Sequence, residues 1–420
     1  MNRWKRREFL TGTAAACGAL LTSGLTFAQL PKERAARMVC VIMRGALDGL
    51  AAVAPVGDPD YAPLRRELAL RPAGSPQGGL PLDRLFVLHP ALGFLHDCFT
   101  ARELLVFHAV ASPYRERSHF DGQDVLESGA IHPHALQTGW LNRALACLQE
   151  PGTAPRELGL ALGQNVPLVM RGAAPVTSWS PSRLAMLDEE TLQRISDLYA
   201  ADPVLAARLA DAVAMGDVAA MGDVGAMGDV AAAGDGMSHS TLAAPHPKAD
   251  RYDAIVRAAA GFLRREAGPN VAVFDTSGWD THANEGDAQG QLAARLGALD
   301  SGLRTLKEAL GPVWSDTAVL LATEFGRTAA INGTRGTDHG TGTAAFLLGG
   351  AVRGGRVLAD WPGLANGSLY QGRDLAPTTD LRCVLKGVLT EHLRVSSAAL
   401  ERSVFPDSRA AKPLRDLIRT

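Results

Sequence analysis

The chain of 420 residues carries 42 Lys plus Arg against 44 Asp plus Glu, a formal net charge of −2, and 46 % apolar residues. So balanced a charge lacks the basic field by which nucleic-acid binders displace counterions, which excludes nucleic acid as an expected partner. The length and apolar content allow one large buried core or two ordinary ones.

The chain opens on Lys5-Arg6-Arg7-Glu8-Phe9-Leu10, followed by an uncharged stretch from Thr11 to Phe27 rich in Ala, Gly and Thr. Paired arginines ahead of a weakly apolar segment, shorter than the ~20 residues of a membrane-spanning helix, form the layout of a twin-arginine export signal. Small residues at Thr26-Phe27-Ala28 set the expected boundary: a signal over 1–28 and a mature chain, over 29–420, that begins at Gln29. Lipoprotein processing at Cys17 is the competing reading, and the apolar core before that cysteine is too short for it. Export brings the twin-arginine translocation machinery as a partner and a periplasmic or secreted location. No later apolar run reaches membrane length without charges, so no membrane span is expected in the mature chain.

Beyond the signal, continuous apolar runs at Met38–Met43, Leu104–Val110, Val271–Phe274, Ala318–Leu321 and Ala344–Leu348 suit strands buried on both faces. Between them, leucines at 292, 296, 299, 303, 306 and 310 follow a four-three spacing that forms one apolar stripe on a helix. Strands alternating with helices predict an α/β fold with a mostly parallel central sheet and helices on both faces, in a single domain. The hexapeptide Ala214-Met215-Gly216-Asp217-Val218-Ala219 recurs from Ala220 and again from Ala226. Three copies are too few to stack a core, so the segment at about 211–247 reads as a flexible insertion. Cys40, Cys98, Cys147 and Cys383 lie far apart with no C-x-x-C pair, and buried free thiols are expected.

In open α/β sheets, ligands collect at the carboxyl ends of strands. The polar residues that follow the apolar runs are Arg44 and Asp48, then Ser118-His119-Phe120-Asp121, then Gly278-Trp279-Asp280-Thr281-His282, then Glu324-Phe325-Gly326-Arg327; Gly336-Thr337-Asp338-His339-Gly340 leads into the last run. Carboxylates and imidazoles without a thiolate make an oxygen and nitrogen site suited to Zn, Mn, Mg or Ca. Each residue also has a structural reading: Asp48 and Asp280 as helix caps, Glu324 paired with Arg327, His339 as a satisfied half-buried histidine. Ser118-x-x-Asp121 approaches a capping box, while a serine at a helix start is also placed to act as a nucleophile. His119 is open to the roles of ligand, base or hydrogen-bonding residue. Arg44 and Arg327 are placed either to hold a phosphate or sulfate or to pair with Asp48 and Glu324.

These motifs, with Glu127-Ser128-Gly129, resemble the twin-arginine-exported domain-of-unknown-function family 1501, over nearly the whole mature chain and in the same order. The resemblance implies the alkaline phosphatase and sulfatase-like superfamily, whose fold is a mainly parallel sheet with metal ligands at its strand ends. Carried over residue by residue, it implies metal ligation by Asp48, Asp280, His282, Glu324, Asp338 and His339, and a nucleophile at Ser118. Phe325 stands where that superfamily supplies a histidine, and the ligands left suit a single divalent metal. The expected function is metal-dependent hydrolysis of a small anionic ester, a phosphate or sulfate. The alternative, which Phe325 favours, is a non-catalytic exported binding or assembly protein that retains the fold.

Overall fold

A computed structural model describes residues 35–149, 152–181, parts of 194–209, and 247–419. The expected signal and its cleavage site, Cys17 and the hexapeptide repeat all lie outside the described residues.

The five apolar runs all form strands. In the large sheet these are β1 (Arg37–Arg44), β2 (Leu104–Ala111), β5 (Val271–Ser277), β6 (Thr317–Ala322) and β7 (Thr343–Leu348). Four shorter strands complete it: β3 (Gly159–Leu162), β4 (Val176–Trp179), β8 (Arg356–Leu358) and β9 (Thr379–Asp380). The order is β8-β2-β7-β6-β1-β5-β3-β4, with β9 also on β2. Every pairing is parallel except the two made by β7, so one strand runs against the rest.

Why the runs are apolar throughout is visible in how they alternate. Val39, Val41 and Met43 of β1 enter one core, and Met38, Cys40 and Ile42 enter the other. The first core is covered by α5 (Pro247–Leu263) and α6 (Gln291–Leu310), the second by α4 (Trp140–Cys147) and α7 (Leu381–Glu391). The leucine stripe lies on α6, where Leu292, Leu296, Leu299, Leu303, Leu306 and Leu310 are each at most 3 % exposed. Fully burying such a side chain contributes roughly 1.5–3 kcal/mol, so the stripe holds this helix to the sheet far more firmly than helix propensity alone. The protein is therefore a mixed α/β fold on a mostly parallel central sheet. A separate three-stranded sheet of Val53–Ala54, Val87–Leu88 and Leu80–Pro81 packs beside it.

The four described cysteines are free, as their spacing suggests; Cys40 and Cys98 are buried, while Cys383 is intermediate and Cys147 is exposed. Among the described residues, no helix is long and apolar enough to cross a membrane.

Candidate metal centre

Register brings the strand ends to one edge. Arg44 at the end of β1 lies opposite Ser277 of β5, and Ile42 lies opposite Ala322 at the end of β6. Because β7 is reversed, its first residue, Thr343, lies opposite Val110 near the end of β2. The loop that enters β7 thus joins the loops that leave its parallel neighbours. Two glycines let the loops meet. Gly45 has φ +118°, and a Cβ there would lie 2.8 Å from the Asp280 backbone nitrogen; a Cβ on Gly336 would lie 2.4 Å from the His282 carbonyl carbon.

Four of the expected residues converge where these loops meet. Ligand atoms of His119, Asp280 and His339 all lie within 4.8 Å of one another, an arrangement able to hold a metal ion. The His282 Nε2 joins them, 3.0 Å from His339 Nε2 and 3.1 Å from Asp280 Oδ1. His119 is the first residue of α3 (His119–Ser128), and its ring stacks on Phe325 with centroids 5.0 Å apart.

The second nitrogen of each imidazole decides what the first can do. His119 Nδ1 lies 2.8 Å from Glu324 Oε1, His339 Nδ1 lies 2.9 Å from the Arg117 carbonyl, and His282 Nδ1 lies 3.3 Å from Asp338 Oδ1. All three partners accept only, so each Nδ1 carries a proton, and with a cation bound beside Asp280 each Nε2 would turn its lone pair to that cation. This is the outer layer found around metal-binding histidines, in which a carboxylate or carbonyl sets the tautomer and orientation. Among the described residues the buried His119 Nε2 has no hydrogen-bond partner, and Asp280 Oδ2 lies 3.5 Å from it. A buried ring nitrogen without a hydrogen bond is costly, and a cation held between it and Asp280 is a partner its lone pair suits. Three imidazoles and one carboxylate fit a divalent ion of borderline hardness such as zinc.

The electrostatics agree with this layout. The hydrogen bond to Glu324 holds the His119 pKa above its ordinary value, against the effect of burial. Burial lowers that of His339. For Asp280, burial opposes ionisation but the hydrogen bond and charge of Arg327 outweigh it, so the carboxyl stays below its usual value. Glu324 is likewise held low, burial being outweighed by hydrogen bonds that include those from His119 and Gly45.

Other expected residues take different places. Asp48 is not among the converging atoms: its Oδ1 accepts from the Leu50 and Ala51 backbone N–H groups as the N-cap of α1 (Gly49–Ala52), and its Oδ2 accepts from buried Arg65. Both of its oxygens are thus engaged away from the histidines, in a cap and an ion pair. Glu324 and Asp338 stand behind His119 and His282 as acceptors. Arg44 pairs with Glu127 at 2.7 Å and Asp275 at 2.8 Å, and Arg327 pairs with Asp280 and Thr337. Both guanidiniums are thus held by carboxylates, and Glu324 is not the partner of Arg327. Ser118 holds the N-cap backbone position of α3, yet its side chain makes no capping bond to the helix. Phe120, beside His119, is 87 % exposed.

Reading the sequence by strand ends did not find Glu285, Arg65 or the Arg117 carbonyl. Glu285 and Arg65 are both fully buried, with Arg65 Nη2 3.6 Å from Glu285 Oε1. Their positions follow no apolar run. A lone buried-charge position carries no periodic signal, so nothing local marks them.

No curated protein matches the chain. A solved structure described as "Crystal structure of Ps i-CgsB in complex with k-i-k-neocarrahexaose" is 11 % identical with a TM-score of 0.34, over 75 % of this chain and 66 % of that one. At that TM-score it bears on neither fold nor function, and the chain spans just under two thirds of that protein's length. The sequence model of the family described as "Protein of unknown function (DUF1501)" matches residues 108–404, which takes in α3, the Asp280 loop and both His339 and Glu324, and the chain belongs to that family.

Proposed function

We propose that this protein is an exported metal-dependent hydrolase of small anionic esters, phosphate or sulfate, with an alkaline phosphatase-like variant of the α/β fold. The observation that carries the reading is the convergence of three Nε2 atoms on the Asp280 carboxylate, with every Nδ1 tied to an acceptor. His119, Asp280 and His339 would hold one divalent ion, with His282 within reach as a fourth ligand. Such an ion supplies Lewis-acid polarisation of an ester and lowers the pKa of a hydroxyl beside it.

The chain's own groups supply the rest. Glu324 and the Arg117 carbonyl orient His119 and His339. Ser118 directly precedes His119, and its hydroxyl, which does not cap α3 and hydrogen-bonds the Tyr114 side chain, is the nucleophile in this reading. The N-terminus of α3 adds the positive end of a helix dipole, which favours an anionic ester. Strand-end placement of the whole group on a mainly parallel sheet supports the superfamily reading.

A second reading, a non-catalytic binding or assembly protein, draws on one observation. Arg44 and Arg327 are both engaged by carboxylates and so are not free to clamp an anion. The test begins with metal content of the protein purified from the periplasm. A panel of aryl phosphate, sulfate and phosphonate esters then follows for wild type and Ser118→Ala. Bound zinc or manganese with turnover lost in Ser118→Ala supports the hydrolase. Stoichiometric metal with no turnover of any ester favours the binding protein, and absence of metal uptake sinks the centre itself.

A further inference from the structure

A chain of buried polar groups runs behind the centre. Arg327, 1 % exposed, donates to Asp280 Oδ1 through Nη1 and to Thr337 Oγ1 through Nε at 3.1 Å. The Thr337 hydroxyl has one proton, which it donates to Glu285 Oε2 at 2.7 Å. Direction is thereby fixed, from Arg327 to Thr337 to Glu285. The far oxygen of Glu285, Oε1, faces Arg65 at 3.6 Å and the carboxylate of Asp48, and among the described residues it has no hydrogen-bond partner. Thr337 and Glu285 are fully buried, and their loops are laced together by Thr337 N–H to Thr281 O at 3.1 Å and Glu285 N–H to Arg335 O at 3.0 Å.

We propose that Glu285 is a positioning residue for the metal ligand Asp280, acting through Thr337 and Arg327, an inference that rests on the metal-centre reading above. An arginine that meets an exposed carboxylate has many geometries open to it, and Asp280 is 41 % exposed. What holds the fork of Arg327 in one plane is the pair of oxygens on Thr337, its hydroxyl by way of Nε and its carbonyl by way of Nη2. Only an acceptor at Glu285 Oε2 keeps that hydroxyl turned so that its lone pair faces Arg327. The state of Glu285 follows from the charges around it. Asp48 takes two backbone N–H groups and the direct contact with Arg65, which stands farther from Glu285, at 3.6 Å. Burial and the nearby Asp48 charge raise the Glu285 pKa well above its ordinary value, and a proton on Oε1 satisfies that oxygen by donation toward Asp48.

This makes glutamine the conservative replacement, since its amide oxygen accepts from Thr337 and its amide N–H stands in for the acid proton. The experiment compares wild type, Glu285→Gln, Glu285→Ala and Thr337→Val. One readout is Co²⁺ affinity with the cobalt absorption spectrum. The other, which needs no metal, is solvent exchange of the Arg327 Nε–H resonance. Glu285→Ala and Thr337→Val are expected to weaken Co²⁺ binding by roughly tenfold or more, as loss of outer-layer partners does. Both also change the cobalt spectrum and speed Arg327 Nε–H exchange. Glu285→Gln restores all three. If Glu285→Ala fails to fold, Thr337→Val carries the comparison, being nearly isosteric. Unchanged Arg327 exchange in folded Glu285→Ala or Thr337→Val overturns the relay, whatever the metal result. If wild type takes up no Co²⁺ while the exchange still responds, the relay to Arg327 stands, and the ligand role of Asp280 and the metal-centre reading fall together.

Discussion

Replacing Glu324 by glutamine tests the centre at the point where its outer layer is most completely specified. Glu324 is fully buried; its Oε1 accepts from Gly45 N–H at 2.8 Å, His119 Nδ1 at 2.8 Å and Gln123 Nε2 at 3.2 Å. Three donors at one oxygen force the amide oxygen of a glutamine to take the Oε1 place. Its NH₂ then faces the Thr323 hydroxyl, which sits 2.9 Å from Glu324 Oε2 and can give its own proton to the Met43 carbonyl at 2.7 Å. Shape and hydrogen bonds survive, and only the charge behind His119 is lost. Removing such an outer-layer carboxylate weakens metal binding by roughly ten- to hundredfold, or about 1.4–2.8 kcal/mol. The weakened hydrogen bonds cost roughly 1 kcal/mol of stability, a fall in melting temperature of a few degrees at most. Zinc affinity is measured by competition with a chromophoric chelator, alongside thermal unfolding of the apoprotein. An affinity within twofold of wild type, with folding intact, would refute the argument that Glu324 acts through the His119 imidazole.

Gly336→Ala, whose Cβ would lie 2.4 Å from the His282 carbonyl carbon, is expected to part the two loops and abolish zinc uptake; wild-type affinity in titration calorimetry would show that the loops tolerate separation. Leu303→Ala in the α6 stripe should cost about 2–5 kcal/mol, read from the shift of the urea midpoint. His108 is fully buried, with its pKa lowered from 6.5 to about 4 chiefly by burial. The unfolded chain therefore takes up this proton first, and the stability present above pH 6.5 is lost as the pH falls toward 4, by up to roughly 3 kcal/mol. His108→Gln, whose amide can donate to Val53 O and accept from Ala109 N–H as the imidazole does, should reduce the acid slope of unfolding free energy by one proton; an unchanged slope would place the sensitivity elsewhere, in His89 or His392, which burial shifts the same way.

The sheet, and several of the residues that converge at its edge, were legible before the fold was known, for reasons that lie within short windows of chain. A strand buried on both faces must be apolar at successive residues, so Met38–Met43 and Ala318–Leu321 announce themselves, and the leucines of α6 do so through helical spacing. Strands too short or mixed to give such a run, Gly159–Leu162 and Val176–Trp179 among them, were missed. Glycine-bounded Asp280-Thr281-His282 and Asp338-His339 pointed to the loops that converge because polar residues of interest gather where strands end. What those windows could not decide was the division of labour among the charges. Asp48 and Asp280 both follow buried strands, yet Arg65 meets the first in the interior while three imidazoles meet the second at the surface. His119 and Glu324 are 205 residues apart, and the contact between them sets which ring nitrogen holds the proton. The reversal of β7, which delivers His339 to the same edge, likewise left no mark in its apolar run, since a strand buried on both faces reads the same in either direction. Periodicity is a local property of the chain, whereas a carboxylate becomes a ligand, a cap or an ion-pair partner according to which distant groups folding packs against it.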